Sequence, residues 1–188
     1  MSIGKRVTEA IEKYQARDFE GALIPACIAI DATAKKEFPK VKTVGARYKS
    51  FLRNYMWMIG LVGLRGIVAR NIRLKYIPPN LKPGPDGCVP IEDILYEIIR
   101  CGLLHEAGVA DYIVLSDDVI LGYDGDRYVI SAALPLGLTV AAMISPTNSI
   151  EKLANPKFTI TIGRKKFVAS QLWGQHDSLI QQLRDGEI

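Results

Sequence analysis

The segment FEGALIPACIAIDATAKKEF, residues 19–38, predicts a mostly buried α-helix and is the starting point for the fold. Asp18 lies just before it, where a short acidic side chain accepts hydrogen bonds from the free amides of a first helical turn. Pro25 is expected to bend the helix, because proline cannot donate to the preceding turn, and Pro39 ends it. A helix this apolar has to be covered by other elements over most of its surface.

Helical patterns flank this segment on both sides. Apolar residues recur at helical spacing from about Ser2 to Ala16, from Val44 to Trp57 and from Gly60 to Tyr76. A stretch rich in proline and glycine, residues 76–87, then predicts a loop. Pro90 suits the first position of a fifth helix, whose apolar stripe is Ile91, Ile94, Leu95, Ile98, Ile99 and Leu103.

The residues beyond 110 contain short β-rich runs. These runs predict a hairpin insertion at about 112–131 and a second hairpin followed by a helix at about 157–184. Between them, Leu134 to Ile144 predicts a buried helix. The predicted fold class is therefore mainly α: a single domain over residues 1–188, built as a helical bundle with small β-hairpin additions in the C-terminal half.

The composition is that of a folded globular protein, because 48% of the 188 residues are hydrophobic and 23% are charged. The N-terminus lacks the apolar core of a signal peptide, and the most apolar runs are too short or too interrupted to span a bilayer. Cys27, Cys88 and Cys101 have no spacing typical of a zinc site. These features predict a cytoplasmic protein with no metal, no cofactor and no membrane partner.

The net charge of +4 is small, but the charges are unevenly distributed, because one segment contains no acidic residue. Residues 39–84 contain ten lysines and arginines but no aspartate or glutamate, whereas the rest of the chain has 14 basic and 20 acidic side chains. Cations interleaved with aromatic side chains are typical of surfaces that bind single-stranded nucleic acid. A basic helix pair with its aromatics in the core, or a surface for an acidic protein partner, also explains the pattern. The candidate nucleic-acid-binding residues are Arg47, Lys49, Arg53, Arg65, Arg70, Arg73 and Lys75.

Arg100 and His105, in the sequence RCGLLH, are the candidate catalytic pair. An imidazole titrates near neutral pH and moves a proton on or off a ribose 2′-hydroxyl, while a guanidinium binds a phosphate. Positions five apart on a regular α-helix point about 140° away from each other, so the pair converges only if the helix unwinds near Gly102 or if two subunits meet. The structural alternative is an ion pair of Arg100 with Glu97 or Glu92 and a helix cap made by His105.

This combination resembles the HEPN superfamily, named for nucleotide-binding domains of higher eukaryotes and prokaryotes. The resemblance lies in the long N-terminal helix pair, in ALIPACIAID (residues 22–31) of the second helix, and in Arg-x4-His late on a later helix. It implies an all-α bundle and a metal-independent ribonuclease whose motif meets across a homodimer interface. It also implies that Arg100 binds the scissile phosphate, that His105 is the general acid or base, and that the product ends in a 2′,3′-cyclic phosphate. Asp31 and Glu106 are candidate helpers of this site.

The predicted function is an endoribonuclease acting on single-stranded RNA, of the kind found in toxin or phage-defence systems. Members of the superfamily usually have a polar residue directly after the arginine, and Cys101 stands there in this chain. Two alternatives therefore stay open: a non-catalytic helical module that binds RNA or a nucleotide, and a helical interaction domain that binds an acidic partner. The other histidine, His176, precedes Asp177, and this pair is more typical of a surface than of a metal site.

Overall fold

The computed structural model describes residues 2–75, 81–102, 113–118, 120–125 and 127–184, apart from the side chain of Ile98. Of these residues, 54% are helical and 15% lie in strands, which form three small sheets. The predicted fold class, a mainly α bundle with hairpin additions in the C-terminal half, is therefore wrong. The fold is mixed α/β, and one of the sheets lies in the N-terminal half of the chain.

Three helices build the N-terminal part of the core. Helix α1 spans Ile3–Gln15, α2 spans Phe19–Glu37 and α3 spans Val44–Met58. The residue before each helix caps it, because its side-chain oxygen accepts a hydrogen bond from the amide three residues further on. The predicted cap at Asp18 is confirmed, and α2 is buried along much of its length, including Pro25 inside it.

The predicted helix from Gly60 to Tyr76 is wrong after Gly63, over the residues that the structure describes. Helix α3 continues only as a π-helical turn, Ile59–Gly63, and Gly66 then takes a left-handed backbone with a φ of 104°. The chain folds back so closely that a Cβ atom on Gly60 would lie 2.0 Å from the carbonyl oxygen of Ile67. Only glycine permits this approach, so the chain reversal ends the helix although the apolar pattern continues.

A small sheet and a further helix follow. Strand β1, Arg73–Leu74, pairs antiparallel with β2, Val89–Pro90. Helix α4, Ile91–Asp93, has Pro90 as its N-cap residue and continues as a π-helix over Ile94–Arg100. The predicted start of a helix at Pro90 is thus correct to within one residue.

The predicted hairpin at about 112–131 is part of a three-stranded mixed sheet. Strand β4, Leu121–Asp124, and strand β5, Arg127–Ser131, form an antiparallel hairpin, and β3, Ile113–Ser116, pairs parallel with the other edge of β5. Strand β5 is central, and every residue in it after Arg127 is buried. The sheet therefore contributes to the core instead of decorating a helical bundle, which is why the predicted fold class fails.

Helix α5, Leu134–Ile144, is buried nearly all round and packs against α1, α2 and the π-helical turn after α3. Two glycines meet where α5 packs on this turn. A Cβ atom on Gly137 would lie 2.6 Å from the backbone nitrogen of Gly63. The absence of a side chain at both positions lets the two helical segments pack backbone to backbone.

The C-terminal prediction is confirmed. Strands β6, Thr159–Ile162, and β7, Lys165–Val168, form an antiparallel hairpin, and helix α6, His176–Arg184, follows. Within the described ranges, no helix combines the length and the apolar character that crossing a membrane requires.

Glu151, in the loop after α5, ties the C-terminal half to the start of the chain. Its carboxylate accepts hydrogen bonds from the Ser2 hydroxyl at 3.0 Å, the Gly4 amide at 2.9 Å and the Lys36 ammonium at 3.0 Å. Burial by itself would raise the pKa of Glu151, but these donors outweigh it and lower the pKa.

Candidate functional site

The side chain of Arg100 is fixed by Asp31 of α2. Its Nε and Nη2 atoms donate hydrogen bonds to Asp31 Oδ2 at 2.9 and 2.6 Å. The two side chains are 14% and 22% exposed, so the pair is largely shielded from water. Burial by itself would lower the pKa of Arg100, but the hydrogen bonds and the charge of Asp31 outweigh it and raise the pKa. Glu97 and Glu92, the partners considered from the sequence, instead pair with other cations.

An aromatic ring lies against the same guanidinium. The Cζ atom of Arg100 is 5.5 Å from the ring centroid of Tyr96, and the Nζ atom of Lys49 is 5.2 Å from that centroid. Gly45 leaves room for the ring, since a Cβ atom there would lie 2.9 Å from Tyr96 Cε1. Tyr48 packs on the ring from the core, with the two centroids 5.4 Å apart. A carboxylate and an aromatic ring together therefore position Arg100.

Two further groups near this pair are inert at neutral pH. Cys27 and Tyr48 are fully buried. Burial raises the pKa of the Cys27 thiol to about 12 and raises the pKa of the Tyr48 hydroxyl as well. Neither group is an effective nucleophile or base, because each stays protonated. Among the residues that the structure describes, no three or more His, Cys, Asp or Glu side chains cluster in a way that could hold a metal ion.

The guanidinium of Arg100 retains N–H groups for a ligand. Its hydrogen bonds to Asp31 use Nε and one hydrogen of Nη2, and a guanidinium has five N–H donors in a planar fork. Cys101 is a further hydrogen-bond partner of the guanidinium, and the donors left over suit a phosphate oxygen. His105 and Glu106 lie outside the described residues, so the structure locates Arg100 and Asp31 of the predicted site and brings those two together.

Two of the cations on α3, Lys49 and Arg53, are engaged with acidic residues of the following helix. Lys49 Nζ lies 3.0 Å from Asp93 and 2.8 Å from Glu97, and Arg53 Nε lies 2.6 Å from Glu92. These pairs join α3 to α4 and its π-helical continuation. The next helix in the chain therefore supplies the counter-charges of these two cations.

Other candidate cations of this segment are also held within the molecule. Arg65 Nη2 lies 3.1 Å from Asp117, and Arg73 Nε lies 2.7 Å from Asp86. Arg47 donates from Nη1 to two backbone carbonyls, six and five residues earlier, at 2.9 and 3.2 Å. Five of the seven predicted nucleic-acid-binding residues thus have intramolecular partners.

Arg70 and Lys75 are exposed and have no polar partner in the described part of the chain. The aromatic residues between the cations are mostly internal: Phe51 is 0% exposed and Tyr55 is 3% exposed. These rings cannot stack on a base, and the alternative that places them in the core is correct. Trp57 is half-buried and retains an accessible face.

Sequence reasoning missed a cleft of about 480 Å³ around His176. Glu37, Arg53, Trp57 and Arg70 contribute to its lining. His176, predicted to be a surface residue, is half-buried, with its ring centroid 5.8 Å from that of Trp57. These residues come from α2, α3, the irregular chain after α3 and the start of α6, so no local spacing could have identified them.

The Rv1289 family matches residues 2–187, and the chain therefore belongs to that family. Similar proteins include the uncharacterized protein Rv1289 of Mycobacterium tuberculosis (strain H37Rv) and the uncharacterized protein Mb1320 of Mycobacterium bovis. Each is 26% identical over 185 residues, which cover 94% of this chain and 85% of the relative. No solved structure matches the chain with significant similarity. The names of these relatives state no activity, so the chemistry of the site has to support any function.

Proposed function

We propose that this protein is a HEPN-like, metal-independent endoribonuclease that acts on single-stranded RNA in the cytoplasm as a homodimer. The observation that supports it is the position of Arg100, whose guanidinium is oriented by Asp31 and Tyr96 and retains donors for a phosphate. A toxin or phage-defence role would use the same chemistry.

In this proposal His105 removes the proton from a ribose 2′-hydroxyl, and that oxygen attacks the adjacent phosphorus. The bond between phosphorus and the 5′-oxygen breaks, and a protonated imidazole or a water molecule gives the leaving oxygen its proton. The products are a 2′,3′-cyclic phosphate and a 5′-hydroxyl. Arg100 donates to the phosphate oxygens as their negative charge grows, and Asp31 is a positioning residue that holds the guanidinium in place.

Cleavage of labelled single-stranded RNA in excess EDTA tests the proposal. The wild-type protein should release fragments that end in a cyclic phosphate. His105→Ala and Arg100→Gln should each slow cleavage by about 100-fold or more, because each removes a group that acts in the transition state. Arg164→Gln, which changes an exposed arginine in the turn between β6 and β7, is the matched control and should cleave at the wild-type rate. Cleavage that persists in His105→Ala would contradict the proposal.

Binding of RNA without cleavage is the second candidate, favoured by the exposed Lys75 and Arg70. Ion pairs at an exposed surface contribute only about 0–1 kcal/mol, so a phosphate can also displace the carboxylate partners of Arg65 and Arg73. This function predicts RNA affinity that falls steeply with salt and no cleavage product. Lys75→Gln should reduce both the affinity and the salt dependence, whereas Lys157→Gln, at an exposed position elsewhere, should change neither.

An acidic protein partner has less support. Lys49 and Arg53, which would have to contact it, already bind three carboxylates of the following helix. A partner would have to displace these carboxylates before it gained new ion pairs.

A further inference from the structure

A second site lies toward the C-terminal end of α3, away from the Gly45 and Lys49 end that faces Arg100. It is the cleft of about 480 Å³ around His176. A smaller, more apolar pocket of about 260 Å³ adjoins it, and the two share Trp57, Arg70 and Ile180. Together they have the size typical of small-molecule sites, which is about 300–1,000 Å³.

Two arginines make the cleft suitable for an anion. Arg53 uses Nε for its bond to Glu92 at 2.6 Å, and its side chain is still 54% exposed. Its two terminal nitrogens have no partner among the described residues, and neither has the exposed side chain of Arg70. Planar guanidinium groups match the oxygens of a phosphate, and such charge-assisted bonds are stronger than neutral ones.

A flat apolar surface adjoins these arginines. Trp57 lines both pockets, and His176 lies edge-on to it, with an angle of 76° between the ring planes. Val68, which is 53% exposed, and Ile180 extend the apolar surface in the smaller pocket. Tryptophan presents a large rigid face on which an aromatic ring can stack.

Glu37 adds an oriented hydrogen-bond acceptor. Its Oε2 accepts from the Tyr55 hydroxyl at 3.1 Å and from the Ser145 hydroxyl at 2.8 Å. Burial raises the pKa of Tyr55, so its hydroxyl stays protonated and keeps donating. These two bonds fix the carboxylate, and Oε1 has no partner within the described ranges. A ribose hydroxyl or a base amino group can donate to that oxygen.

We infer that this cleft binds a mononucleotide, with its phosphate on Arg53 and Arg70 and its base against Trp57. Phosphate alone would leave the tryptophan face and the smaller pocket unused, and a purely apolar molecule would bury Arg70 without a counter-charge. The ligand can be a free nucleotide or the phosphorylated end of an RNA chain, because both present the same groups. The site goes beyond the proposed cleavage function, because it uses neither Arg100 nor His105.

Equilibrium dialysis of the full chain against AMP and GMP tests the inference, with inorganic phosphate, the matching nucleosides and a short 5′-phosphorylated RNA as further probes. At least one mononucleotide should bind about tenfold or more tightly than phosphate or its own nucleoside. Arg70→Gln should weaken that binding by about tenfold or more, because a charge-assisted contact is lost. Arg164→Gln is the matched control and should bind normally.

The RNA probe identifies the source of the ligand. Tighter binding of the phosphorylated RNA than of both the mononucleotide and the same RNA without its 5′-phosphate supports a chain end, because the proposed cleavage site binds either RNA. Tighter binding of the mononucleotide supports a free nucleotide. The inference is overturned if no mononucleotide binds, if phosphate binds as tightly, or if Arg70→Gln leaves the affinity unchanged. Arg70 has no described partner, so its replacement should not alter folding, and an unchanged thermal unfolding curve would verify this.

Discussion

Asp31 and Arg100 should be coupled in both stability and activity, because one carboxylate oxygen accepts both hydrogen bonds from the guanidinium. Hydrogen bonds to charged groups contribute about 1.5–3 kcal/mol, whereas exposed ion pairs contribute about 0–1 kcal/mol. With side chains 22% and 14% exposed, this pair lies between these limits. We therefore expect a coupling free energy of about 1–2 kcal/mol between Asp31→Asn and Arg100→Gln.

Urea unfolding of the wild type, the two single variants and the double variant measures this coupling. Each single variant should lose about 1–3 kcal/mol, because it leaves a shielded partner without its counter-charge, and the double variant should lose less than the two losses combined. Lys49→Gln with Glu97→Gln, a more exposed pair, is the control and should couple by about 0.5 kcal/mol or less. A coupling between Asp31 and Arg100 no larger than this control would refute the reasoning. In the RNA assay, Asp31→Asn introduced into the wild-type protein should slow cleavage. The same substitution introduced into the Arg100→Gln variant should have no further effect.

Three further outcomes follow from packing and charge. Gly137→Ala should lower the free energy of unfolding by about 1–3 kcal/mol, because the new Cβ atom would lie 2.6 Å from backbone. The cost of this clash exceeds the roughly 0.5–1 kcal/mol that alanine gains in helix propensity. A urea melt that showed stabilisation would contradict this packing. Cys27 should resist iodoacetamide in the folded protein, because burial raises its pKa to about 12. The half-buried Cys88 and Cys101 should react. Mass spectrometry that found all three modified equally fast would contradict this expectation. Glu151 has a pKa lowered by folding from an unfolded value of about 4.3, so its stabilisation is complete above that pH and is lost as the pH falls through the folded-state value. Glu151→Gln should therefore flatten the decline of stability in acid, and an unaltered decline would count against the role of this carboxylate.

Local signals predicted the elements whose formation depends on neighbouring residues. Asp18 caps α2 because the amide it binds is three residues away, and the turn at Gly163 has a φ of 59°, as the predicted second hairpin requires. The prediction for the segment after α3 is wrong because distant residues contribute to its path. Its apolar residues keep a helical period, but Gly63 packs against Leu134 and Gly137 of α5, and the chain then turns at Gly66.

In the candidate site, too, single residues could be predicted from the sequence, but the contacts between distant residues could not. Arg100 was identified from its chemistry, but its contact with Asp31 joins residues 69 positions apart and appeared in the sequence only through a resemblance. The acid-free segment resembled one basic face in the sequence, because counting charges along the chain cannot show that Glu92 lies 2.6 Å from Arg53. The cleft at His176 had no local signal, since five separate parts of the chain meet there.

The mixed sheet implies an order of assembly. Strands β4 and β5 are adjacent in the chain, and a hairpin of this kind closes in about 1–10 μs. Strand β3 can add only to the free edge that β5 then presents, and parallel pairing has a slightly weaker hydrogen-bond geometry than antiparallel pairing. We therefore expect the hairpin to form first and β3 to join it later. Native-state amide exchange should then release the protons bonded between β3 and β5 before those bonded between β4 and β5.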